Sequence, residues 1–168
     1  KRLERDPNVA AVSLDWRAFP ASVPSDPLHA DHWGHNNTGQ LPAFDWNGTW
    51  EHTGSPVGTV GFDANAHNAW DVTFGSAGVV VAILDSGVDI DHPDLRLVSG
   101  YDFGDNDSNP DDNSASPGHG TCCAGVAASV RNSLGAAGIA ADCSIMPCKV
   151  ADSGGSMYFS YIQNALYW

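Results

Sequence analysis

Positive charge is scarce in this chain: seven Lys and Arg face twenty Asp and Glu, for a formal charge of −13. That balance argues against a nucleic-acid partner, which needs a basic face, and against adhesion to anionic lipid. Long apolar runs are missing too. None approaches the ~20 residues of a membrane span, so no membrane partner is expected. Glu is nearly absent, with two against eighteen Asp, and four Cys are too few for a disulfide scaffold in 168 residues. No internal repeat and no low-complexity tract occurs. Asp is plentiful, as are Gly (18) and Pro (10), a composition of bending, ligand-holding loops that excludes a helical bundle. With 42% hydrophobic residues, the chain can fill the core of one ordinary domain.

The acids are concentrated. Nine of the twenty fall between Asp85 and Asp112. Residues 1–18 are charged, contain the short apolar run Val9–Val12, and read as a separate element. Residues 19–62 are rich in Pro, Gly, Trp and His and read as a long surface segment ordered by packing. The chain starts at Lys1 and stops at Trp168 in mid-pattern, so it is expected to be a piece of a longer protein.

From Gly78 the pattern sharpens. Gly78–Leu84 (GVVVAIL) is a continuous, largely β-branched run between Gly and Asp-Ser-Gly, which predicts a strand buried on both faces. Leu97–Phe103 and Ser144–Val150 are further strand candidates. Thr121–Val130 is small and apolar all round and predicts a fully buried helix. Met157–Trp168 predicts an amphipathic helix facing inward through Met157, Tyr161, Ile162, Ala165 and Leu166. Strand, helix, strand, helix is the pattern of an α/β fold with a parallel sheet and crossover helices. Ligands of such sheets bind at the carboxyl ends of the strands, where Asp85 falls.

Asp85 follows the apolar run directly, and Ser86-Gly87 turns the chain away. His119 stands between Gly118 and Gly120, which permit close backbone approach and leave the imidazole accessible. A carboxylate at a strand end can accept the Nδ1 proton of such a histidine, fixing its tautomer and stabilising its cation. The pair has the makings of a general base.

These segments resemble one family. VVVAILDSGVDIDHPDL resembles the aspartate motif of the subtilases, the subtilisin-like serine endopeptidases, and GHGTCCAGVAAS resembles their histidine motif. NSLGAAGIA and IMPCKV extend the likeness over most of residues 60–168. SDPLHADHWGHNNTGQ is similar to the start of a mature subtilase domain, and LERDPNVAAVSLDW to the tail of an inhibitory propeptide. The resemblance implies a three-layer α/β/α fold, truncated C-terminally, with residues 1–18 as propeptide tail and 19–168 as the N-terminal part of the catalytic domain. It implies a secreted zymogen that hydrolyses peptide bonds in protein or peptide substrates, with its own propeptide as inhibitor and folding aid. Asp85 and His119 would be catalytic, and the chain order Asp, His, Ser places the nucleophile and the oxyanion-hole Asn beyond Trp168. The chain as given is therefore expected to be inactive. Gly154-Gly155-Ser156-Met157 imitates the nucleophile motif, but Tyr-Phe follows where Ala-x-Pro belongs. Gly154, Gly155 and Ser156 instead match the edge where backbone groups pair with an extended substrate. Cys122 departs from the family's usual His or Arg after His-Gly-Thr.

Asp102, Asp105, Asp107, Asn109 and Asp111 place five oxygen-bearing side chains at near-alternate positions in a stretch without Lys or Arg. Hard cations want such ligands, although a solvated acidic loop has the same look. The resemblance favours a structural Ca2+ loop. It also implies a second Ca2+ site joining Asp26, Asp94 and Asn132 with the carbonyls of Val130, Leu134 and Ala136. His29, His32 and His35 have a spacing that could suggest zinc, but Pro27, Gly34 and Asn36-Asn37 argue against a helix, so solvent-facing loop histidines are expected. Cys122, Cys123 and Cys148 read as free thiols. A reading from another class makes the Asp-rich loops the function: a calcium- or peptide-binding module with a vestigial triad.

Overall fold

A computed structural model describes residues 23–40, 59–115 and 117–168. The expected propeptide tail, residues 1–18, lies outside the described residues, as does 41–58. Among the described residues three parallel strands form the sheet: Val80–Asp85 (β1), Tyr101–Asp102 (β2) and Ser144–Lys149 (β3), in the order β1-β3-β2. The register runs from Val80 opposite Ser144 to Asp85 opposite Lys149, and Asp102 also lies opposite Lys149. The carboxyl ends of all three strands therefore meet at one edge.

The helices are Ala66–Trp70 (α1), His119–Ala128 (α2) and Phe159–Tyr167 (α3). Side chains alternate across a strand, so each face of the sheet has its own cover. Val81, Ile83 and Ile145 pack with Ala124, Ala127 and Ala128 of α2. Leu84, Met146 and Cys148 pack with Tyr161, Ile162 and Ala165 of α3. The result is helix, sheet, helix: an α/β fold in three layers. A third cluster, formed by Ala66, Trp70, Phe74, Ala137 and Ala141, seats α1, and the Trp70 indole N–H donates to the Ile139 carbonyl at 2.8 Å.

Several expectations need correction. Central β3 is buried along its length, but β1 is not buried on both faces. Val79 and Val80 are 55% and 45% exposed. β1 is the edge of the described sheet, and neither residue is among the side chains packed under α2 or α3. The strand expected at Leu97–Phe103 is cut to two residues with an isolated bridge from Leu97 to Ile145. The cause lies in β3. Ile145 donates to Arg96 and accepts from Val98, whereas Pro147, two residues on and facing the same way, has no N–H to give. α2 buries only the stripe Gly120, Ala124 and Ala128; Cys122 and Val126 face outward. In α3, Leu166 is exposed and Met157 precedes the helix.

Candidate active site

The site is built at the carboxyl edge of the sheet. β1 ends in Asp85 while α2 begins at His119, and Gly120 allows the two to meet. A Cβ on Gly120 would collide with the Gly87 carbonyl and come within 3.0 Å of the Asp85 Cβ. Gly118 takes φ +111°, a left-handed conformation that favours glycine, and lets the chain turn into the helix.

Nδ1 of His119 donates to Oδ1 of Asp85 at 2.7 Å, and the Ser86 amide donates to the same oxygen at 2.7 Å. With its proton placed on Nδ1, the imidazole keeps its lone pair on Nε2, free to take a proton from outside. The hydrogen bond that His119 donates to Asp85, and then the charge of Asp85, hold the His119 pKa above 6.5. Cys123 lies one helical turn on, its Sγ 3.8 Å from Nδ1. Burial, then the charge of Asp85, push the Cys123 thiol up, so it stays protonated at neutral pH. Among the described residues, Asp85, His119 and Cys123 are the only three His, Cys, Asp or Glu side chains whose ligand atoms lie mutually within 4.8 Å. All four cysteines are free thiols.

Asp112 escaped the sequence analysis. Its Oδ1 accepts the Ser86 hydroxyl at 2.9 Å; its Oδ2 accepts the Thr121 hydroxyl at 2.6 Å and the amides of Gly118 and Thr121. Ser86 Oγ in turn accepts the Gly120 amide, and Thr121 Oγ accepts the Asp89 amide. One carboxylate thus ties the turn after β1 to the first turn of α2, satisfying amides that a helix start leaves open. Burial works to raise the Asp112 pKa, but the hydrogen bonds from Thr121, Ser86 and Gly118 outweigh it and hold the carboxyl low. The only signal in the sequence was an Asp shortly before Gly-His-Gly-Thr, lost among nine acids. Asp112→Ala in the intact protein should cost about 2 kcal/mol of stability. It should also lower kcat more than it raises KM, because it frees the base and not a substrate contact. Denaturant melts and steady-state kinetics check this; an unchanged melt with unchanged kcat would contradict it.

The other predicted residues divide. Asp26 and Asp94 are both buried and brought together with Asn132: the Asn132 amide N–H donates to Asp26 Oδ1 at 3.0 Å, and its side-chain Nδ2 to Asp94 Oδ1 at 2.6 Å. Among the described residues, Oδ2 of Asp26 is buried without a partner. Burial, reinforced by the charge of Asp26, pushes the Asp94 pKa up. Val130 donates its amide to the Asp94 carbonyl; the Ala136 carbonyl accepts the Ser129 hydroxyl; the Leu134 amide donates to Asn132 Oδ1.

The acidic loop is looser. Asp102 is 1% exposed and pairs with buried Lys149 at 2.8 Å, while its other oxygen accepts the amides of Gly104 and Asp105. Asp105 accepts the Ser153 amide, Asp107 the Asn109 amide, and Asp111 the Ile90 amide. No three of these carboxylates come within 4.8 Å of one another. Gly154, Gly155 and Ser156 form an exposed turn closed by the bridge from Ala151 to Met157, with the Gly155 and Ser156 amides held by Asp152. The histidines expected in solvent are not there: His29 and His35 are buried.

The site is thus a carboxylate and an imidazole paired at the carboxyl edge of a parallel α/β sheet. The sequence profile of the Subtilase family matches residues 76–168, and the chain belongs to that family. It is 46% identical over 104 residues to thermitase of Thermoactinomyces vulgaris, covering 60% of this chain and 36% of thermitase. Against subtilisin E of Bacillus subtilis (strain 168) it is 33% identical over 165 residues, 96% of this chain and 38% of that protein. The structure of the Aeromonas sobria serine protease with its chaperone superposes with a TM-score of 0.70 at 26% identity, over 89% of this chain and 24% of that one. The chain thus spans about a quarter to two fifths of the length of these relatives.

Proposed function

We propose that the intact protein is a secreted serine endopeptidase in which Asp85 and His119 are two members of a triad. The observation that carries this is the 2.7 Å bond from His119 Nδ1 to Asp85, which leaves Nε2 as a base with its side chain open to the outside. A serine beyond Trp168 would attack the scissile carbonyl and pass its proton to Nε2. His119 would return that proton to the leaving amine, while the Asp85 carboxylate would stabilise the imidazolium. The Gly154–Ser156 turn would pair with the extended substrate, and residues 1–18 would be the tail of an inhibitory propeptide preceding a catalytic domain from residue 19. Similarity to the halolysin-like extracellular serine protease Nep of Natrialba magadii supports secretion. The intact protein should hydrolyse denatured casein and the 168-residue chain should not. Turnover by the short chain, or none by the intact protein, would overturn the reading.

Calcium fits the site of Asp26, Asp94 and Asn132. Two buried carboxylates face one asparagine, and Asp26 Oδ2 has no proton donor. A hard cation held by Asp26, Asp94, Asn132 and the Val130, Leu134 and Ala136 carbonyls would neutralise that charge and pin the segment at Asp26 to the 130–136 loop. Ion at ~100 times Kd adds about 2.7 kcal/mol to a site that exists only when folded. Calcium added to chelator-treated intact protein should raise Tm, with the shift reduced in Asp94→Ala. Asp105→Ala tests the acidic loop in the same way. No shift in wild type, or a shift as large as the wild type's in both variants, would contradict calcium at these places.

A further inference from the structure

His29, His32 and His35 are three residues apart, and the chain there is a 3-10 turn (His29–Asp31) followed by further turns. A 3-10 turn has three residues per turn, so every third side chain stacks on one face. That face meets α1, which supplies a fourth imidazole, His67. Nε2 of His29 lies 3.0 Å from Nε2 of His67. The His32 and His35 rings stack at 3.7 Å, and His35 stands edge-on to Trp70 at 5.3 Å. Four ring nitrogens here are buried without a hydrogen-bond partner among the described residues: Nδ1 of His29, Nδ1 of His32, and both nitrogens of His35, which is 2% exposed.

A neutral imidazole carries one N–H and one lone pair, and both want partners. A buried group left unmatched points to a bound ion or water. Imidazole nitrogens gathered from two segments suit a borderline transition metal, where calcium would want oxygen.

We propose that His29 and His67, joined by a nitrogen from the His32–His35 stack, form a binding site for a zinc-class divalent ion. A zinc–nitrogen bond of ~2.0–2.1 Å sets two tetrahedral ligands about 3.3 Å apart, close to the His29–His67 separation. Among the described residues, no third imidazole nitrogen stands within 4.8 Å of both members of the pair, so binding by the stack requires the stacked rings to part and one to turn inward. The ion would staple the 29–35 segment to α1, independently of any peptidase activity.

The test uses the intact protein with calcium saturating. Zn2+ alone should bind once per chain at this site and raise Tm. Co2+ should give the visible bands of a nitrogen-bound four-coordinate ion, without the near-ultraviolet thiolate band that Cys123 would contribute at Asp85 and His119. His67→Ala, at a half-exposed position on α1, should lose more than the roughly 10- to 100-fold in affinity that an outer-sphere partner costs. Cys123→Ala should bind as wild type does. X-ray absorption on the wild-type zinc protein should read at least three imidazoles and no sulfur, which keeps the test independent of any variant's folding. No zinc binding, wild-type affinity in His67→Ala, loss of binding in Cys123→Ala, or sulfur in the zinc shell would each overturn the proposal.

Discussion

Replacing His119 with Ala in the intact protein is expected to lower kcat by on the order of 10³-fold or more, and Asp85→Ala to do the same. In the proposed triad His119 would supply the base, and Asp85 would fix its tautomer through the Nδ1 bond. Steady-state turnover of casein or a chromogenic peptide reads the loss; wild-type-like kcat in either variant would refute the assignment. The pH profile carries the same information. Only neutral His119 is a base, and Asp85 raises its pKa above 6.5, so activity should fall as pH drops through a value higher than 6.5. Asp85→Asn should shift that acid limb downward. The stabilising effect of the pair has the opposite sense: it is fully present below 6.5, where His119 is charged, and is lost as pH rises through the raised value.

The second large effect is expected at Lys149. Its Nζ is held by Asp102 at 2.8 Å and Asn113 at 2.7 Å, and both charged side chains are 2% exposed. Removing one partner of a buried pair strands the other, so Lys149→Met should cost about 3–5 kcal/mol. Lys149→Met paired with Asp102→Leu should recover much of that, because no charge is left without a partner. Denaturant melts of the intact protein measure both. A single variant as stable as wild type would contradict the account. The pair also bears on the acidic loop, since Asp102 is already occupied by a lysine and two amides and is the loop residue least free to take a cation.

Much of this was legible in the sequence because it is local. The β-branched run before Asp85 and the apolar run around Ile145 read as strands, and small residues after His119 read as a helix. The motifs around Asp85 and His119 carried the pairing that joins them. What escaped depends on contacts between distant segments. The Asp112 carboxylate is one of nine acids until the fold brings Ser86 and Thr121 to it. Lys149 offered a hint, since a lone lysine in an apolar strand has to find a buried partner. The histidines were misread for a local reason: Pro27 and Gly34 rule out an α-helix, but a three-residue spacing also suits a 3-10 turn. His67, which completes that group, lies 32 residues from His35 and has no link to it in periodicity.

The most direct test of the central claim, that His119 paired with Asp85 activates a serine, is the rate at which a phosphonyl fluoride labels the intact protein. Wild type should take one label, on a serine beyond Trp168, at a rate that falls as His119 gains its proton. In His119→Ala the rate should drop on the order of 10³-fold. Equal labelling of the two proteins, or a label on Ser156, would contradict it.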